Sequence, residues 1–378
     1  MKRIIIVNNN MDSGGIQKAL INLLKAVSDD YEITLLLFSR TGALMDEIPS
    51  NVKVVTPSHC YKMLGLAKKE LLDYPILFAL KAVFKILTKF FGKRKTLKML
   101  GLFQKKYEGY DIAISFSHLT SSKIFENGAA EFVLDKIVAC RKTCFVHCDY
   151  SNSGTYTLEN NKIYSIFDDI ICVSNSVRER LVELVPGIVR KTFVIRNFYD
   201  MSVSDKAKDD PIYYDDTYIN IVIVARLSRE KGQDRAIYAL KESKRNDIKL
   251  HLVGDGPFKE ELTALCEKLD LLNEVSFYGE QTNPYRYMTN ADYLLVPSVH
   301  EAAPMVFDEA HSLGLRVIST KLLSSSEMLF EDDIECENSK EGIKNALLAL
   351  IKSSISDRAE ISNQENIEKF ANYVEGRL

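Results

Sequence analysis

The feature that most constrains this chain is a grammar used twice. Short β-branched runs, RIIIV at 3–7, ITLLLF at 33–38, VKVV at 52–55, DIAISF at 111–116, KTCFVH at 142–147, DIICVS at 169–174 and FVIRN at 193–197, alternate with segments of helical spacing. The clearest helices run across Ile16 to Val27 and through SVRERLVELV after Ser174, whose hydroxyl is placed to cap the first turn. Apolar runs of this length suit strands buried on both faces of a parallel sheet. The alternation restarts with NIVIVAR at 220–226, KLHLVGD at 249–255, VSFYG at 275–279, YLLVPS at 293–298 and RVIST at 316–320. Helices are expected from Asp234, over Phe258 to Leu269, and from Pro304.

Strand–helix–strand repetition implies a doubly wound parallel sheet in each half. At 378 residues the chain exceeds what one hydrophobic core supports, which also favours two domains. Between the halves, MSVSDKAKDDPIYYDDT is turn-rich and poor in buriable surface. The expected architecture is α/β: two Rossmann-like, doubly wound domains facing across a cleft. Residues 1–200 form the first domain, 201–217 a linker and 218–359 the second. In such sheets ligands sit outside the carboxyl ends of the strands, so two facing domains suit a two-substrate enzyme.

With 46% hydrophobic and 27% charged residues and a net charge of -3, the composition is that of a soluble globular protein and argues against broad nucleic-acid binding. Seven cysteines follow no disulfide pattern, and the apolar run after Met1, Lys2 and Arg3 is too short for a signal segment or membrane span. A reducing cytoplasm is the expected compartment.

Three places carry candidate chemistry. Gly14 and Gly15 fall between the first strand and first helix, where missing side chains let a phosphate approach backbone amides. Glycine also serves βα turns for geometry alone, and both readings stand at this point. Arg226 and Lys231, in VARLSREKG, are two cations just past a strand, suited to a diphosphate whose negative charge grows as it leaves. In SVHEAAPMVFDEAHSLG, Glu301 lies in a loop and Glu309 in the following helix, with Pro304 in the first turn and Gly314 at the stop. Carboxylates so placed accept hydroxyls of a sugar; the plainer alternative is a solvent-facing Glu309.

These residues resemble the retaining glycosyltransferases of the family 4 (group 1) type, which have the GT-B fold. Glu301, seven residues and Glu309 match an E-x7-E motif. The likeness extends to Gly14 and Gly15, His147 in FVHCDY, Ser174 in VSNSVRERL, Asn197 in VIRN, ARLSREKG, LVGDGP, VSFYG and ADYLLVPS. It implies that Arg226 and Lys231 bind donor phosphates and that Glu309 binds ribose hydroxyls. Glu301 and the residues after it, Ala303, Pro304, Met305 and Val306, would meet the donor sugar or phosphate. His147 would sit beside that sugar, Gly15 near the diphosphate, and Gly279 and Glu280 by the base. The helix over 358–378, with 360–378 as its body, would pack back on the first domain.

The resemblance further implies transfer of a hexose with retained configuration, from a UDP-sugar or GDP-mannose, onto a glycan or lipid-linked acceptor of a surface polysaccharide. An epimerase or phosphorylase of the same architecture, or a noncatalytic nucleotide-sugar-binding subunit, is the alternative. Ala302, Phe198 and LSSSE before Glu327 depart from the family pattern, which expects glycine, and bear on sugar identity. No Asp-x-Asp pair occurs, so Arg226 and Lys231 are expected to replace a metal, and no cofactor is expected. Cys140, Cys144 and Cys148 with His147 suggest zinc, but the stretch reads as a strand and lacks paired C-x2-C knuckles.

Between Tyr61 and Tyr107, twelve lysines and arginines face only Glu70 and Asp73. Lys81, Lys85, Lys89 and Lys93 recur every four residues beside an apolar stripe, the pattern of a helix resting on anionic lipid or holding the acceptor. An ordinary helix with a solvated lysine face is the alternative.

Overall fold

A computed structural model describes residues 1–352 and 361–377. The chain divides into two compact units, Met1–Phe198 with Asn363–Leu378, and Tyr199–Ser362.

The first unit is built on seven parallel strands: β1 (Arg3–Asn8), β2 (Glu32–Leu37), β3 (Lys53–Val55), β4 (Tyr107–Ser115), β5 (Ile137–Val146), β6 (Asp169–Cys172) and β7 (Thr192–Val194), in the order β3-β2-β1-β4-β5-β6-β7. The second has β8 (Ile219–Val224), β9 (Ile248–Val253), β10 (Val275–Gly279), β11 (Tyr293–Val296), β12 (Arg316–Thr320) and β13 (Ile334–Cys336), in the order β10-β9-β8-β11-β12-β13. Every strand pairing is parallel, with Ile4 against Ile33 and Ile112 in one sheet, and Ile221 against Leu250 and Tyr293 in the other. Each order reverses beside its first strand, at β1/β4 and at β8/β11, which opens a crevice at the carboxyl edge.

Coverage on both faces explains why the strands read as unbroken apolar runs. Ile219, Ile221 and Ile223 enter one buried cluster with Leu250, Leu252 and Leu240. Val222 points the other way, into a cluster with Leu294, Val296 and Phe307. Ser174 caps the helix Asn175–Leu184, its hydroxyl accepting from the Val177 amide at 3.1 Å.

The stretch expected as a linker is part of the second unit. Residues 203–207 form a short helix whose Val203 and Ala207 are buried with Tyr199, Tyr285 and Met288. Alternating polar and apolar residues hid this, because only one face of that short turn is covered. The described part of the last helix, Gln364–Val374, lies in the first unit. Arg141 donates to the carbonyls of Tyr373 (2.7 Å) and Val374 (2.9 Å), and Phe370 meets Tyr31 and Phe198 edge-on. Residues 358–360 and Leu378 of the expected helix lie outside the described residues.

The basic segment folds as two helices, Pro75–Phe91 and Lys93–Leu100, broken at Gly92 with φ of +78°. This break corrects the expected row of lysines. Lys93 turns inward, its side chain 2% exposed, to pair with Glu131 at 3.2 Å and donate to Thr120 Oγ1 at 2.9 Å. Lys81 is half-buried, and burial, then Lys85, lowers its pKa. Lys85 and Lys89 alone of the four are exposed.

Candidate active site

The β8/β11 reversal puts two loops of the second unit side by side, 225–232 and 297–304, and the backbone locks them together. The Val299 amide donates to Glu230 O at 2.8 Å. Gly232 sits at φ of +67°, and a β-carbon there would meet the Pro297 carbonyl oxygen at 2.1 Å, so the position requires glycine on both counts. Arg235 donates to the carbonyls of Pro297 (2.6 Å) and Ser298 (3.2 Å), and the buried Gln233 donates to Arg226 O at 2.9 Å.

On this frame Lys231 and Glu301, seventy positions apart, form an ion pair, and Ser298 Oγ donates to Glu301 Oε1 at 3.0 Å. Arg226 lies on the same loop as Lys231 with its side chain exposed. A planar fork and a point charge therefore share one loop beside a carboxylate that is already clamped.

Glu309 is 5% exposed, which excludes the solvent-facing alternative. It occupies the helix Met305–Ser312, which starts at Pro304 and stops at Gly314, and Tyr285 Oη donates to Glu309 Oε1 at 3.3 Å. Ala303, Met305 and Val306 are partly buried at this helix start. Gly279 ends β10, its carbonyl accepting from the Gly254 amide at 2.8 Å, and Glu280 follows it exposed at the same carboxyl edge. Ser298, Gln233, Arg235 and Tyr285 were not legible as site residues, because each acts through a partner distant in sequence.

In the first unit, Gly14 precedes and Gly15 begins the helix Gly15–Val27. A β-carbon on Gly15 would meet nothing within 4 Å, so the fold itself makes no demand for glycine there. The loop between β1 and this helix is braced by Asn10, which donates to Gly65 O at 2.6 Å and accepts from Gln17 Nε2 at 3.1 Å. His147 follows β5, partly buried against Phe116 and Phe145, and its Nε2 has no hydrogen-bond partner among the described residues. Burial, then His118, pushes its pKa down to about 3, so the ring is neutral at pH 7. Cys144 is buried in β5, Cys148 lies beyond it near Thr155, and Cys140 is exposed; among the described residues no group of three or more metal-ligating side chains is assembled.

Residues 205–368 match the family of group 1 glycosyl transferases. The second unit thus resembles the group 1 glycosyl transferases, and the chain is a glycosyltransferase. Among its relatives is the N-acetylgalactosamine-N,N'-diacetylbacillosaminyl-diphospho-undecaprenol 4-alpha-N-acetylgalactosaminyltransferase of Campylobacter jejuni, 26% identical over 374 residues, covering 94% of this chain and 91% of that protein. An uncharacterized glycosyltransferase of Methanocaldococcus jannaschii is 29% identical over 168 residues, and the match spans only 41% of its length. Among solved structures, Anabaena HepE in complex with UDP and glucose superposes with a TM-score of 0.69 at 18% identity, each chain covered in full. The lipopolysaccharide glycosyltransferase WaaG gives 0.60 at 15% identity, with 99% of this chain covered. These likenesses establish the GT-B fold for this glycosyltransferase.

Two histidines with lowered pKa values make its stability acid-sensitive. His251 is held between Asn220 Oδ1 (3.0 Å) and Tyr278 Oη (3.1 Å), and burial, then Lys249, pushes its pKa down to about 4. Both folded values lie below the unfolded value near 6.5, so the unfolded chain binds more protons below that pH. Stability is therefore full above pH 6.5 and falls as pH drops toward 4 for His251 and 3 for His147. Urea midpoints measured from pH 7.5 to 4.5 should fall steadily, and His251→Gln should flatten the slope; a parallel slope in the variant would exclude His251 as a source.

Proposed function

We propose that this enzyme transfers a hexose, with retention, from a nucleotide-diphosphate sugar, UDP-sugar before GDP-mannose, to a glycan or lipid-linked acceptor of a surface polysaccharide. The observation that carries this reading is the Lys231–Glu301 ion pair across the two locked loops at the strand-order reversal, with Arg226 exposed on the first loop and Glu309 buried on the next helix. In the reading, Arg226 and Lys231 neutralise the leaving diphosphate as its charge develops, without a metal ion. Glu309 accepts the ribose hydroxyls, displacing Tyr285, while Gly279 and Glu280 flank the base. Glu301 and residues 303–306 meet the sugar or its phosphate. In the first unit, His147 supplies a neutral imidazole for a sugar hydroxyl, and the amides behind Gly14 and Gly15 donate to phosphate oxygens.

HepE binding UDP and glucose supports the UDP-sugar donor, and the diphospho-undecaprenol acceptor in the Campylobacter relative's name supports a lipid-linked one. Among the described residues no helix is long and apolar enough to cross a membrane. We place the work on the cytoplasmic side, in keeping with seven free cysteines.

A thermal-shift panel of UDP, GDP, ADP, TDP and CMP and their sugar conjugates, with and without EDTA, tests the reading. Saturation to a hundred times Kd adds about 2.7 kcal/mol. A shift with a uridine or guanosine diphosphate that survives EDTA is expected. Silence across the panel would overturn the donor assignment, and loss of the shift in EDTA would overturn metal independence.

Gly15→Ala separates structural need from ligand approach. The added methyl meets nothing in the protein and favours the helix, so the melting temperature should hold or rise while donor turnover falls roughly tenfold. Unchanged turnover would remove Gly15 from the site.

A further inference from the structure

The helix Pro75–Phe91 is apolar on two sides. One side faces the unit's interior: Leu77 and Thr88 are buried, and Phe84 stacks on Phe125 with ring centroids 5.4 Å apart. The other carries Ile76, Val83, Ile86 and Phe90, exposed at 83%, 51%, 56% and 79%. Their spacing of seven, three and four residues places them along one line of a helix. Four large apolar side chains aligned in solvent form a continuous stripe rather than isolated surface residues.

The charges beside the stripe identify its occupant. Lys85 and Lys89 are the exposed cations of this helix, which has no acidic residue. Across 61–107 the only acids are Glu70 and Asp73, against twelve basic residues. A second copy of the chain would bring like-charged rows together. An anionic bilayer offers acyl chains to the stripe and phosphates to the lysines. At 17 residues the helix is about 25 Å long, and no described helix is able to span, so it lies in the plane of the surface. The polar side that a free interfacial helix needs is supplied by the body of the unit, on which the opposite face is packed.

We propose that this helix inserts the Ile76–Val83–Ile86–Phe90 stripe into the interface of an anionic membrane. This rests on the reading of a lipid-linked acceptor and extends it to the surface on which that acceptor is met. It differs from docking through the row Lys81, Lys85, Lys89 and Lys93, which the inward turn of Lys93 interrupts. Insertion through apolar groups persists when salt screens the lysines.

The test is sedimentation of the full chain with vesicles of phosphatidylglycerol and phosphatidylethanolamine, against pure phosphatidylcholine, at low salt and at roughly 0.5 M salt, where screening is short-ranged. Binding to the anionic vesicles should survive high salt. Val83→Ser with Ile86→Ser and Phe90→Ser should weaken it roughly tenfold or more, while Lys85→Gln with Lys89→Gln should weaken it mainly at low salt. Equal sedimentation of the triple serine variant, no sedimentation of the wild type, or a wild-type dimer that this variant converts to monomer would each overturn the proposal. The nucleotide-induced thermal shift is read on the same variants, and all three positions are exposed, so it should be unchanged. Vesicle binding without any nucleotide shift would sink the transferase reading and leave the docking face standing.

Discussion

Lys231→Met should lower kcat/KM for the donor by about a hundred- to a thousandfold while leaving the melting temperature within a degree or so of wild type. The side chain is partly exposed, and its only described ion pair is with Glu301, so folding depends on it little. Two roles are possible for a cation in that position, and a double-mutant cycle separates them. If Lys231 only orients Glu301, then Lys231→Met, Glu301→Gln and the double variant lose the same activity. If it also neutralises the departing diphosphate, Lys231→Met costs more than Glu301→Gln, which retains the hydrogen bond from Ser298 Oγ. We expect the second pattern, with the loss in kcat rather than KM. Activity in Lys231→Met within about twofold of wild type would remove the loop from the chemistry.

The second large effect is on stability. Glu131→Ala should destabilise the first unit by about 3–5 kcal/mol, because it leaves the Lys93 ammonium buried with Thr120 Oγ1 as its remaining partner. Replacing both, Lys93→Met with Glu131→Leu, removes the two charges together and should recover most of that loss. Urea unfolding followed by circular dichroism reads both variants. If the double variant were as unstable as Glu131→Ala, the cost would lie in packing rather than in an unpaired charge.

This pair also marks where the sequence stopped being informative. Lys93 continues the period of Lys81, Lys85 and Lys89, and periodicity carries no signal for a left-handed glycine that redirects the next turn inward. Glu131, its partner, sits on another helix 38 positions away in a stretch that reads only as apolar. Conversely, Ile4 to Val7 and Ile219 to Val224 were legible because sheets covered on both faces require unbroken β-branched runs. β13 was not, since IEC is three residues at an edge with a glutamate at its centre. The starts of β4 and β5 were equally opaque: Tyr107 to Tyr110 and Val138 to Arg141 are at most partly buried, and their pairing comes from the sheet rather than from their own pattern.

The candidate site residues divide in the same way. Glu301, Glu309, Arg226 and Lys231 announce themselves by type and by position after a strand. What holds them does not, because Tyr285 reaches Glu309 from 24 residues upstream and Arg235 fixes the 297–304 loop through backbone carbonyls. Hydrogen bonds to main-chain oxygens leave no mark on the partner's identity, so no pattern of side chains encodes them.

The placement of Phe370, Tyr373 and Val374 beneath the first sheet gives synthesis an order. The unit whose strands leave the ribosome first lacks these buried residues until the whole of the second unit has been made. Its Arg141, Phe198 and Tyr31 must wait, solvated, for a segment translated more than 160 residues after Phe198. The unit begun second is therefore the one completed first, and a nascent chain halted after Ser362 would hold a whole second unit joined to a first unit still missing its closing helix.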